Sequence, residues 1–496
     1  MKEKSCNKNT DINEPVSRNI EANIQTFQKI YKDCADIKTR EMYLGAHNDK
    51  KCFMAYIEVA LDIKSFGESG IGMLVKNIEA GISPKDAKVA DVTEIKDLNQ
   101  ALDVILVGNV LVFVDGFNYA LKIGDKGYPS LGVKETDSEK VIRGSNEGFS
   151  DSIKINTALV RRRIRSQKLK VKETTAGVRS NTVVDIMYMK DIASPHVVTE
   201  IMKRINRYEV DGVLDSGVIE QLAEKKWYSP FPEFQTTQRP DRAAMAVLEG
   251  RIVVLCDNSP IALILPTDFN SFLKTTDDYY NRFEAASFAR IIRYVSAFLA
   301  MTLPGLYLAV TNFHTQILPT SLLLSFWEAR IGCPFPEVVE VVLMELSFEL
   351  LREAGIRLPG AMGNTIGIVG GLIIGQAAVD ANLVSPIVVI VVAFTALCSF
   401  AIPNEEFAFS FRLLKFGFIA LSAWLGYFGF LLGIYAVIVH LSRLESFGIP
   451  YLSPFVAYGE KSTEVLGESI IRKPFRRLKY RPIYARRNQR IRLRGK

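Results

Sequence analysis

Residues 334–403 restrict what this chain can fold into more than any other stretch. They read PFPEVVEVVLMELSFELLREAGIRLPGAMGNTIGIVGGLIIGQAAVDANLVSPIVVIVVAFTALCSFAIP. A carboxylate-bearing helical pattern passes into a ladder of glycines and then into a charge-free apolar run. Carboxylates beside segments apolar enough for a bilayer are costly unless they are paired or face water. The rest of the chain is therefore read as what surrounds, gates or anchors this piece.

The 496 residues are 48% hydrophobic, but that average hides two unlike parts. Residues 1–286 mix polar and apolar positions as a soluble protein does, whereas 287–440 are mostly apolar. Tyr294–Phe313, Leu383–Pro403 and Phe416–Val439 carry no charge, and the shorter, glycine-rich Asn364–Val379 is a fourth candidate span. Twenty helical residues cover about 30 Å, enough to cross a bilayer core. Gln316–Trp327 is too short to span and is expected at the interface, with Trp327 at headgroup level. From Ile471 to Lys496 there are twelve Lys or Arg and no Asp or Glu. Such a tail is expected to stay cytosolic, where anionic lipid adds about 1 kcal/mol per basic residue. The first nineteen residues are polar, lack the apolar core of a signal sequence and are expected to be a disordered tail. Both flanks then lie in the cytosol, which requires an even number of crossings. The four candidates satisfy this. A crossing by 336–356 would need a partner crossing at 316–329.

The expected organisation is a disordered tail (1–19), two cytosolic α/β subdomains (20–140 and 141–286), a polytopic α-helical membrane domain (287–440) and a basic cytosolic tail (441–496). In the first subdomain, periodicity predicts a helix over 20–35, a strand over 52–62 and a helix over 94–106. Strands at 109–114 and 119–123 follow, around an Asp115–Gly116 turn. In the second, helices are predicted at 153–167, 196–205, 218–224 and 243–248. A strand is predicted at 182–189, and a hairpin at 251–256 and 261–265.

Little in this half suggests chemistry. Gly67 to Gly72 resembles the start of a phosphate loop, but Met73 and Leu74 stand where Lys and Ser or Thr are needed. There is no GxSxG, HExxH or CxxC, and the four histidines have no second ligand at helical spacing. The six cysteines are scattered and read as free buried thiols. No enzyme activity, cofactor or metal is expected. Arg161, Arg162, Arg163 and Arg165 are read as a solvated helix face with acidic partners in the chain rather than a nucleic-acid site.

In the central stretch, Pro336 suits a first helical turn, with Glu337 and Glu340 near the positive end of the dipole. Glu345, Glu349 and Glu353 recur every fourth residue, with Arg352 beside them as a partner for the acidic face. Two readings fit. The helix lies on the membrane surface, or it faces an aqueous path in an oligomer, where repeated carboxylates favour cations. The second makes Glu337, Glu340, Glu345 and Glu349 candidates for an ion path. Gly363, Gly367, Gly371 and Gly375 line one helical face and are expected to let another backbone approach closely.

In these residues and in several longer motifs, the chain resembles the GerA family of spore germinant receptor A subunits from about residue 40 to 470. The resemblance rests on 334–359 and on GIVGGLIIGQAAVDANLVSP at 367–386. RGSNEGFSDSIKINTALVRRRI at 143–164, VDGVLDSGVIE at 210–220, PFPEFQTTQRPD at 230–241 and LEGRIVVLCDNSP at 248–260 support it. Ser145 and Asn146 depart from the family's usual Pro-Arg. The resemblance implies a subunit of a receptor complex in the spore inner membrane. It would act with a transporter-like B subunit that binds the nutrient and a lipoprotein C subunit. It also implies self-assembly, as a pentamer, into a nutrient-gated channel for monovalent cations. A secondary transporter is a rival reading, though no inverted repeat is seen. A scaffold without its own conduction path is another.

Overall fold

The computed structural model describes residues 14–44, 50–60, 92–124, 139, 141, 143–357, 371, 373–456 and 469–492. The Gly67–Gly72 motif, Gly363 and Gly367 lie outside them. The chain divides into two compact units. The first comprises Met1–Trp227, Phe234–Pro266 and Phe475–Lys496, and the second Tyr228–Glu233 and Thr267–Pro474.

The first unit holds two five-stranded sheets with one strand order. Helix α1 (Ile20–Ile30) precedes the hairpin β1 (Ile37–Leu44) and β2 (Lys50–Ile57). Then come β3 (Val92–Ile95), α2 (Leu98–Leu106), β4 (Val110–Val114) and β5 (Ala120–Ile123). The sheet runs β1-β2-β4-β5-β3, with every neighbouring pair antiparallel. The second sheet begins with α3 (Ile153–Arg163), β6 (Leu169–Ala176) and β7 (Thr182–Met189). Two helices, α4 (Pro195–Ile205) and α5 (Ser216–Ala223), are inserted before β8 (Gln235–Thr237). Helix α6 (Pro240–Glu249) and the hairpin β9 (Ile252–Cys256) and β10 (Ala262–Leu265) complete it in the order β6-β7-β9-β10-β8. The two halves are thus copies of one topology: helix, hairpin, edge strand, helix, hairpin.

Local chemistry accounts for these elements. The Asn19 and Asp97 side chains cap α1 and α2. Gly250, at φ +95°, ends α6 in the left-handed region. Two departures from the sequence reading stand out. Val92–Ile95 is an edge strand, not the start of a helix, because Asp97 caps the helix only from Leu98. Within the tail expected to be disordered, Val16 is buried and its amide donates to the Lys96 carbonyl at 2.9 Å.

A compact junction joins the two sheets. Arg161 is fully buried, donates to both Asp36 oxygens at 2.8 and 3.0 Å, and also reaches the Leu169 carbonyl at 3.1 Å. The expected solvated arginine face is therefore only partly so. Arg162 and Arg163 share Glu147, whose carboxyl burial would push up but which their hydrogen bonds hold below its ordinary range.

The C-terminal segment belongs to the second sheet's half. Tyr484 and Ala485 are buried, and Ala485 joins the core with Ile192, Ala246 and Val247. The Arg251 guanidinium lies 4.1 Å from the Tyr484 ring centroid and donates to its hydroxyl at 2.6 Å. Arg486 donates to the carbonyls of Ala193 and Lys190 at 2.6 and 2.8 Å, and Arg481 to that of Leu248 at 3.1 Å. Part of the basic tail is thus a strap whose arginines are engaged by protein carbonyls.

The second unit is helical. Short α7 (Phe269–Leu273) and α8 (Asp277–Tyr280) precede α9 (Phe283–Phe313), α10 (Thr320–Glu328), α11 (Glu337–Arg357), α12 (Pro386–Phe400) and α13 (Glu405–Arg443). By length and composition, two of them are candidates to cross a membrane, α9 and α13. Helix α13 is not straight. At Gly426 (φ +59°, ψ −137°) the chain turns back. Phe418 and Phe430 have ring centroids 5.9 Å apart, whereas twelve residues of straight helix rise about 18 Å. The run expected as one span over 416–439 is therefore a helical hairpin, held by small residues where its arms meet. A Cβ at Gly433 would lie 2.9 Å from the Phe418 ring, and one at Gly429 would overlap the Leu421 carbonyl oxygen.

Candidate functional site

The bundle around α11 is apolar outside and charged inside. Val339, Leu343, Leu346 and Leu350 are exposed, while Glu337, Glu340 and Glu345 are buried to 3%, 0% and 1% exposure. Neighbouring helices repeat this arrangement. On α13, Phe409, Leu413, Trp424 and Phe428 point outward and Arg412 and Lys415 inward. On α9, Phe288, Ile291 and Val295 point outward and Arg290 inward. A helix lying on a membrane surface would turn its charges the other way.

Each expected ion-path carboxylate meets a partner in the chain. Glu337 Oε2 accepts from Thr311 Oγ1 on α9 at 2.9 Å and lies 3.2 Å from Arg330. Glu340 Oε2 accepts from the Ser385 amide at the start of α12 at 2.9 Å, and its other oxygen is 3.5 Å from Arg330. One turn further on, Lys415 Nζ lies 2.5 Å from Glu345 Oε2 and 3.4 Å from Glu349 Oε1. Glu349 keeps a side-chain exposure of 31%. Arg352, expected to serve this acidic face, turns to α12 and α13 instead. It donates to Ser399 Oγ at 3.2 Å, lies 3.3 Å from Glu405 and stacks 4.6 Å from the Phe400 centroid. The cations on the carboxylates are therefore Arg330 and Lys415, which the sequence reading passed over. A sequence signal existed: Lys415 is a cation immediately before a charge-free run, a residue that needs a buried partner.

The described half of the glycine ladder packs within the chain. A Cβ at Gly371 would stand 3.9 Å from Phe348 of α11, and one at Gly375 would stand 3.4 Å from Val389 of α12. Tyr307, Leu308, Val341, Met344, Val388 and Val392 form the apolar layer around these contacts.

In the first unit, a cavity of about 400 Å3 opens between the two sheets, lined by Asp36, Lys38, Glu58, Lys154, Thr157 and Asp185 among others. Asp185 is buried, and burial pushes its carboxyl up to about 7 while the Thr157 hydroxyl, donating at 2.8 Å, partly offsets this. Among the described residues, no group of three or more His, Cys, Asp or Glu could hold a metal ion.

The profile of the family described as Bacillus/Clostridium GerA spore germination protein matches residues 25–484. Spore germination protein KA of Bacillus subtilis is 37% identical over 467 residues, covering 93% of this chain and 85% of the relative. Spore germination protein A1 of the same organism is 40% identical over 388 residues, covering 78% and 80%. Among solved structures, the N-terminal domain of the A subunit of the Bacillus megaterium spore germinant receptor GerK3 matches at 27% identity with a TM-score of 0.40. That match covers 52% of this chain and 98% of that one. The chain belongs to the GerA family of spore germination proteins, with A subunits as its relatives.

Proposed function

We propose that this chain is the A subunit of a nutrient germinant receptor in the spore inner membrane. It acts with a transporter-like B subunit and a lipoprotein C subunit. It spans the membrane several times with both ends cytosolic, assembles with copies of itself, as a pentamer, and releases monovalent cations when nutrient is sensed. The observation that carries this reading is the inside-out helical unit, in which exposed Leu343, Leu346 and Leu350 surround buried Glu340 and Glu345. Apolar exteriors suit lipid or a neighbouring subunit, and carboxylates kept inside suit a path for cations. Glu337, Glu340, Glu345 and Glu349 would line that path once Arg330 and Lys415 release them. Gly363, Gly367, Gly371 and Gly375 would serve close helix packing, and the basic tail would meet anionic lipid.

Flux from vesicles carrying the reconstituted receptor tests this. Wild type should release potassium on addition of nutrient, and Glu345→Gln with Glu349→Gln should change conductance or cation selectivity. Nutrient-triggered release with unchanged conductance and selectivity in both variants would remove these glutamates from the path. It would leave the scaffold or transporter reading.

A further inference from the structure

The ammonium of Lys415 sits beside two carboxylates of α11. It lies 2.5 Å from Glu345 and 3.4 Å from Glu349, two carboxylates one helical turn apart on α11, with the lysine side chain itself 5% exposed. The second oxygen of Glu345, Oε1, is buried with no hydrogen-bond partner among the described residues. An ammonium is a compact point charge carried on a flexible stem, unlike the planar guanidinium of Arg330 or Arg352. The Arg330 level differs in a second way, because Glu340 there also takes the Ser385 amide at the N-terminus of α12. At both levels one cation holds two carboxylates and a buried glutamate oxygen, Oε1 of Glu340 or of Glu345, is left without a hydrogen bond among the described residues; the Lys415 level stands apart because its cation is a flexible ammonium.

We propose that Glu345 and Glu349 form a monovalent-cation site and that Lys415 is its tethered occupant, filling the site in the state seen here. This rests on the ion-path reading of the same helix and adds the residue that closes it. Removing one member of a buried ion pair normally strands the other charge. At this site a free potassium or rubidium ion can take the vacated place.

The test uses the purified full-length chain, melted in potassium or rubidium chloride and in N-methyl-D-glucamine chloride at equal ionic strength. The organic cation is far larger than the ammonium group it would have to replace. Wild type should melt alike in all three salts. Lys415→Gln should melt several degrees higher in potassium or rubidium than in N-methyl-D-glucamine, since an ion bound only to the folded state stabilises it. The double variant Glu345→Gln/Lys415→Gln, which removes one charge of each sign, should lose that response. Equal melting of K415Q in all salts overturns the proposal. So does a K415Q chain that folds in none of them while the double variant folds, because a free ion then cannot replace the ammonium. Ion binding here is read without B or C subunits and flux in the reconstituted receptor, so either reading can fail without the other.

Discussion

Asp185 and Lys415 show how far single residues reach. The Asp185 carboxyl stands at about 7 in the folded chain against 3.8 for the ordinary group, and burial is the main cause. A carboxyl raised in this way is protonated in the fold over a range where the unfolded chain has already ionised. Stability is therefore intact below about pH 4, falls as pH rises, and is fully reduced above about 7. Asp185→Asn keeps an acceptor for Thr157 and carries no charge, so it should melt higher than wild type at pH 8 and level with it at pH 4. The same advantage at both values would mean that packing, not ionisation, sets it. Such residues are poorly legible in a sequence. Asp185 sits in the strand 182–189 read correctly from its alternation, yet nothing in the pattern says that its side chain closes a cavity. The four glutamates were legible by spacing, but their cations were not: Lys415 is 70 and 66 residues from its carboxylates, and Arg330, though near Glu337 in sequence, lies before α11 and outside its helical spacing.

At the scale of elements, strands buried on both faces and capped helices were legible, and edges were not. Thr182–Met189 and the β9–β10 hairpin matched the apolar pattern closely. The edge strand β1 did not announce itself, because only Ile37 and Leu44 at its ends are buried and, apart from half-buried Met42, the residues between them are exposed. The turn inside α13 was equally hidden, since a charge-free run gives no polar punctuation. Its trace is the spacing of Gly426, Gly429 and Gly433, each set against another backbone or ring. Gly429→Ala should therefore lower the melting temperature of the purified chain by several degrees, as the hairpin arms are forced apart. Gly417→Ala is the control: a Cβ there meets nothing within 4 Å, and alanine gains up to about 1 kcal/mol over glycine in a helix. Equal losses in the two variants would argue against a closed hairpin.

On the scale of the whole molecule, the first unit repeats one topology, and the second repeat is completed by residues that come after the helical unit. Periodicity could not reveal the repeat, because it lies in strand order and not in residue identity. The strap was not foreseen for a related reason: a run of arginines looks alike whether it meets phosphates or carbonyls. Tyr484→Ala removes the ring stacked on Arg251 and the hydroxyl that accepts from it. Loss of a buried aromatic ring of this kind costs about 3 kcal/mol. Limited proteolysis of the full chain should then show earlier cleavage around α6 and β9, with the first sheet unaffected. Unchanged cleavage would mean that the strap adds nothing to that half.

The strap also imposes an order in time. Ile192, Gly250 and Arg251, which receive it, are synthesised before the whole of Thr267–Pro474, and Tyr484, Ala485 and Arg486 after it. At about 5–20 residues per second, the gap is on the order of tens of seconds. Throughout that interval the growing chain carries a domain with its seat empty, open to chaperones and proteases. Completion of the first unit thereby reports that the helical unit has already been made.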